Sequence, residues 1–126
     1  MPPRRIDDLL SMPSSRKAFS REMAAAMTEA TLQLNITSAA RDLGWRPYHT
    51  HDSRRSQPGF PDLCLIHARK DRVIFAELKT EAGRTTKDQR AWAADLLALT
   101  VVEYYLWRPS DWLAGDVTRI LAARPT

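Results

Sequence analysis

Two short apolar runs with a tight turn between them constrain this chain most. Asp62 to His67 reads Asp-Leu-Cys-Leu-Ile-His, and Arg72 to Lys79 reads Arg-Val-Ile-Phe-Ala-Glu-Leu-Lys. Branched and aromatic residues in runs of this length indicate β-strands. Arg69–Asp71 is too short a link for anything but an antiparallel hairpin. The fold must therefore be built around that hairpin. Upstream, Leu32, Ile36, Ala39 and Leu43 recur at helical spacing and form one apolar stripe. Gly44 follows, which suits a helix C-terminus. Either Thr28 caps this helix or the Ala-rich stretch from Glu22 extends it backward.

Trp45 to His51 suits a strand, and Asp52 to Pro61 a loop. After the hairpin, Thr80 to Thr86 forms a second loop. A helix then carries Trp92, Leu96 and Leu99 on one face. Val101 to Trp107 is a last strand, ended by Pro109. Ser110 or Asp111 caps a final helix bearing Trp112, Leu113, Val117, Ile120 and Leu121. The order α-β-β-β-α-β-α predicts an α/β domain, a mixed sheet of about four strands flanked by helices.

A chain of 126 residues fits one domain. Residues 1 to 20 read as a flexible tail, since Pro2, Pro3 and Pro13 alternate with serines and charges; residues 21–126 form the domain. No run approaches the roughly 18 apolar residues of a membrane span. The single cysteine, Cys64, excludes an internal disulfide and any Cys-rich zinc module. These features lead us to expect a cytoplasmic protein. The formal charge of +4 is compatible with a nucleic-acid partner without requiring one.

Most acids occupy ordinary solvated positions, but Asp62 and Glu77 do not. Asp62 opens a strand directly after Gly59-Phe60-Pro61, and Glu77 interrupts an apolar strand two residues before Lys79. Alternation puts Glu77 and Lys79 on one face. If Lys70 and Asp71 are a two-residue loop, Asp62 faces Lys79 and Cys64 faces Glu77, so all three charged groups cluster. A three-residue loop without a bulge would turn Asp62 away. Clustered carboxylates suit Mg²⁺ or Mn²⁺, and a neighbouring lysine supports phosphodiester hydrolysis. The competing reading is a capped turn beside an ordinary Glu-x-Lys strand end.

Gly59-Phe60-Pro61-Asp62-Leu63, Phe75-Ala76-Glu77-Leu78-Lys79 and Gly83-Arg84-Thr85-Thr86-Lys87-Asp88-Gln89, in that order, resemble the virus-type replication-repair nuclease (VRR-NUC) domain of the PD-(D/E)xK superfamily. The resemblance spans about Glu29 to Arg108. It implies a restriction-endonuclease-like core and metal-dependent DNA cleavage. Asp62, Glu77 and the Leu78 carbonyl would hold the cation, with Glu29 as a further ligand. Lys79 would serve the attacking water, and Gln89 matches the family's glutamine on the next helix. The glycine that often precedes the last core strand is missing at Leu99-Thr100-Val101. Small stand-alone members imply a homodimer acting on branched DNA such as four-way junctions, in phage or bacterial replication, recombination or repair.

Several of these residues carry a second reading. Thr86-Lys87-Asp88-Gln89 is also a capping box, and Glu29 a first-turn acid. Arg54, Arg55, Arg84 and Lys87 either meet DNA phosphates or are solvated loop charges. His49, His51 and Cys64 fit no common zinc spacing. Trp92, Trp107 and Trp112 read as packing residues. The rival functions are a non-catalytic DNA-binding module and a nicking or sequence-specific endonuclease of the same superfamily.

Overall fold

In a computed structural model, the described residues are 15–51 and 55–124. The helices are α1 (Ser15–Ala26), α2 (Glu29–Asp42), α3 (Lys87–Leu97), α4 (Pro109–Leu113) and α5 (Asp116–Ala122). The strands are β1 (Arg46–His49), β2 (Leu63–His67), β3 (Arg72–Leu78) and β4 (Glu103–Trp107). They form one four-stranded sheet in the order β1-β2-β3-β4. The first three are mutually antiparallel, and β4 runs parallel to β3. This mixed sheet flanked by helices agrees with the expected restriction-endonuclease-like core.

The N-terminal part of the expected tail, residues 1–14, lies outside the described residues. From Ser15 the chain is helical, through the Ala-rich Met23-Ala24-Ala25-Ala26 stretch that favours helix. Ala24 is buried, and α1 packs against α4. Thr28 then starts a separate helix. Its side chain accepts from the Thr31 N–H at 3.1 Å, a cap whose loss costs roughly 1 kcal/mol. Thr28 therefore caps α2, as the first alternative has it, and the alanines do not extend that helix backward but belong to the separate helix α1. Gly44, at φ +89°, ends α2 as expected.

The sheet presents Leu63, Leu65, Ile74, Ala76, Leu78 and Trp107 to α2 and α5. Leu32, Ile36, Ala40, Val117 and Leu121 close that layer. Burying each such aliphatic side chain contributes roughly 2 kcal/mol. Trp45 joins the core and donates from Nε1 to the Leu121 carbonyl at 2.9 Å.

The hairpin differs from expectation in register. Leu63 pairs with Ala76 and His67 with Arg72. The loop is a 3₁₀ turn, Ala68–Lys70, closed by Asp71 in the left-handed region at φ 52°. It holds four residues rather than two, so every partner shifts by two positions. Asp62 thus stands beside Glu77, not Lys79, and Cys64 pairs with Phe75. A shift of two preserves the face, so Asp62 and Glu77 remain on the same side.

The last helical region also differs. Gly115, at φ +82°, divides it into α4 and α5. Its first helix begins at Pro109, with the Asp111 carboxylate accepting the Arg108 N–H at 2.8 Å. Leu99 lies beyond the end of α3 and is half exposed rather than on its buried face.

Candidate active site

The site face of the sheet is the one opposite the α2–α5 core, where Cys64, Phe75 and Glu77 point. Glu77 lies near the end of β3 and is only 2% exposed. Asp62 immediately precedes β2 and is pinned twice. Its carbonyl accepts the Thr50 N–H at 3.0 Å, and its Oδ2 accepts the Leu78 N–H at 2.8 Å. The second bond ties the acid to the main chain between Glu77 and Lys79.

This arrangement raises the cost of charging Glu77. Burial pushes its carboxyl far above the usual carboxylate range, and the adjacent Asp62 adds to the shift by hydrogen bonding and by charge. Lys79 opposes the shift, and Glu29 reinforces it. Glu29 occupies the exposed first turn of α2, so its field reaches the site although its side chain is solvated. Lys79 is half-buried just past β3, with its N–H donated to the Trp107 carbonyl at 3.1 Å.

Gln89 caps its helix, as one of its two readings expects, and also reaches Glu77. Thr86 Oγ1 accepts the Gln89 N–H at 3.1 Å, and Gln89 Oε1 accepts the Thr86 N–H at 2.8 Å, which completes the capping box. The same amide donates from Nε2 to Glu77 Oε1 at 3.0 Å.

The turn before Asp62 is held against the start of α3. Gly59 sits at φ +86°, and a Cβ there would come within 2.3–2.6 Å of the Asp88 and Gln89 backbone. Phe60 meets Trp92 edge-on at 5.1 Å and Phe75 at 6.0 Å between ring centroids. Trp92 Nε1 donates to the Pro58 carbonyl at 3.2 Å. Trp92 is therefore a packing residue, as expected, but what it packs is the turn that carries Asp62. On the other side of Lys79, Arg108 Nη1 donates to the carbonyls of Thr80, Glu81 and Gly83 at 2.8, 3.2 and 2.7 Å. This clamps the second loop and removes Arg108 from the set of free cations.

Arg84 and Lys87 are exposed on that loop and at the start of α3, and Arg55 is exposed on the loop before Gly59. Arg54 lies outside the described residues. The His49 and His51 rings lie 4.2 Å apart between centroids, tilted by 56°. Among the described residues, no three His, Cys, Asp or Glu side chains form a group able to hold a metal. What the site offers a cation is a pair of oxygen ligands, Asp62 and Glu77, one of them buried and costly to ionise alone. That donor set fits a hard divalent ion.

Sequence reasoning missed Tyr104. Its strand partner is Phe75, which puts it on the site face one step from Glu77. Burial and the charges of Glu77 and Asp62 push its phenol up to about 12. No spacing signal could have exposed it, because its placement depends on the parallel register of β4.

A mixed sheet with paired acids at adjacent strand ends, and a lysine two positions beyond the second, defines a nuclease core of the restriction-endonuclease type. Within that class the chain belongs to the VRR-NUC domain family, whose model matches residues 4–104. It is also 35% identical over 52 residues to a Fanconi-associated nuclease 1 homolog of Schizosaccharomyces pombe (strain 972 / ATCC 24843). That match covers 41% of this chain and only 7% of the relative's length. No solved structure matches.

Proposed function

We propose that the protein is a divalent-metal-dependent DNA endonuclease selective for branched DNA, with residues 21–126 as its nuclease unit. The Asp62–Glu77 pair, with Glu77 buried and braced by Gln89 and with Lys79 close by, is the observation that supports this most. Asp62, Glu77 and the Leu78 carbonyl would hold Mg²⁺ or Mn²⁺, with Glu29 available from α2. When bound, such a cation would supply an activated water and positive charge opposite the phosphate.

This chain's residues do the rest. Lys79 holds the attacking water and offers positive charge as the phosphate gains it. Attack in line forms a new P–O bond, and the P–O bond to the leaving sugar oxygen breaks. Gln89 keeps Glu77 oriented throughout. Arg54, Arg55, Arg84 and Lys87 contact backbone phosphates on either side of the cut.

Two cuts across a four-way junction call for two sites, so the active species is a C2 homodimer in the cytoplasm of a bacterial or phage-infected cell. The test is a cleavage panel of end-labelled single strand, duplex, flap and four-way junction, in Mg²⁺, Mn²⁺ or EDTA. Paired symmetric cuts on the junction, with none in EDTA, support the proposal. Cutting of flap or duplex alone removes the junction assignment. DNA binding without any metal-dependent turnover supports a non-catalytic module instead.

A further inference from the structure

Beside the carboxylate pair lies a cavity of about 220 Å³. Thr50, His51, Gln57, Phe60, Asp62 and Gln89 are among the residues that line it. Asp62 and Gln89 are part of its lining, so whatever fills it adjoins the carboxylate pair. Its chemistry differs from that of a phosphate site. Among the described residues no lysine or arginine lines it, and the Asp62 carboxylate in its lining disfavours an anion.

The walls suit a neutral heterocycle. Phe60 supplies an aromatic surface that Trp92 and Phe75 hold in place. The Gln89 amide is already committed to Thr86 and Glu77, and the Thr50 hydroxyl donates to the Pro61 carbonyl at 3.3 Å. The side chains of His51 and Gln57, in contrast, make no hydrogen bond among the described residues. They can pair with the polar edge of a ring stacked on Phe60. Pockets for drug-sized ligands begin at roughly 300 Å³. A space below that size admits one base and excludes a base pair.

We infer that this cavity binds a single unpaired nucleobase next to the scissile phosphate. The inference rests on the nuclease reading and sharpens it. A base inside a duplex would have to leave its partner to enter, at an energetic cost, whereas one in a flap is already unpaired and one at a branch point, where stacking is interrupted, is released more cheaply. Selectivity for branched DNA then arises at the site itself, without a separate recognition domain.

The test uses 2-aminopurine placed singly at each nucleotide around the branch point of a flap and a four-way junction, bound to Lys79→Ala protein in Mg²⁺. At one position beside the cut, fluorescence should change on binding beyond its change elsewhere. The His51→Ala/Gln57→Ala double variant, with an unchanged Tm, should abolish that difference. In wild type, an abasic spacer at that position should slow cleavage roughly tenfold, the scale of one lost stacking contact. Equal fluorescence at every position, or equal cutting of all abasic substrates, would overturn the inference. The fluorescence arm needs no turnover, so it still decides the matter if the wild type cuts nothing.

Discussion

Gln89 donates from Nε2 to Glu77 Oε1 at 3.0 Å while its own Oε1 accepts the Thr86 N–H. One side chain thus starts helix α3 and holds the buried carboxylate, so folding of the helix and assembly of the site are coupled. Gln89→Glu separates the two. It keeps an acceptor for Thr86, loses the donor to Glu77, and adds a carboxylate beside the pair. Thermal denaturation should change little, whereas Mg²⁺-dependent cleavage should fall by at least about tenfold, the effect of losing one charge-directed hydrogen bond of more than ~1.4 kcal/mol. Cleavage equal to wild type would show that the contact with Glu77 has no catalytic consequence.

Gly59 and Gly115 both have positive φ, yet they should respond differently to alanine. A Cβ at Gly115 meets nothing within 4 Å, so Gly115→Ala should cost only the backbone strain of roughly 1–2 kcal/mol. At Gly59 the same strain is joined by collision with the Asp88 and Gln89 backbone. Gly59→Ala should therefore lose clearly more stability and also lose cleavage, because the turn carrying Asp62 must move. Urea denaturation of the two variants side by side checks this. Equal destabilisation would contradict the packing described for the turn.

The metal-free protein should become less stable as pH rises. Glu77 has a folded value raised above its ordinary one near 4.5, mainly by burial and then by Asp62. Its contribution is fully present below that ordinary value. It is lost as pH rises toward the folded value, because the unfolded chain releases the proton first. Tm in EDTA should fall between pH 5 and 8, and Glu77→Gln should flatten that slope. A wild-type slope no steeper than that of the variant would refute the assignment.

The clamp formed by Arg108 should matter to DNA rather than to the fold. It holds the loop carrying Arg84 through three carbonyls. All three contacts come from the single nitrogen Nη1, and Arg108→Ala removes them together. Steady-state kinetics should show KM rising more than kcat falls. A change confined to kcat would contradict a role in placing the loop.

Much of the fold was legible because periodicity and turn chemistry act locally. The hairpin, the α3 capping box and the apolar stripe of α2 all follow from spacing in the sequence. The face shared by Asp62 and Glu77 was legible too, since parity survives a shift of two. The register itself was not, because a 3₁₀ turn ending in a left-handed Asp71 lengthens the loop in a way that Ala-Arg-Lys-Asp does not advertise. The break between α1 and α2 was only half visible, since helix-favouring residues continue up to Thr28. Tyr104 and Arg108 join the site region through β4, which enters the sheet by a long crossover. Contacts made at that sequence distance leave no local pattern.

Metal-assisted, Lys79-dependent hydrolysis is checked by cleavage of a labelled four-way junction by wild type and by Lys79→Ala, each in Mg²⁺ and in EDTA. Wild type should cut in Mg²⁺ alone. Lys79→Ala should be slower by orders of magnitude while its Tm and junction affinity stay close to wild type. Equal rates for the two proteins, or wild-type cutting that persists in EDTA, would contradict it.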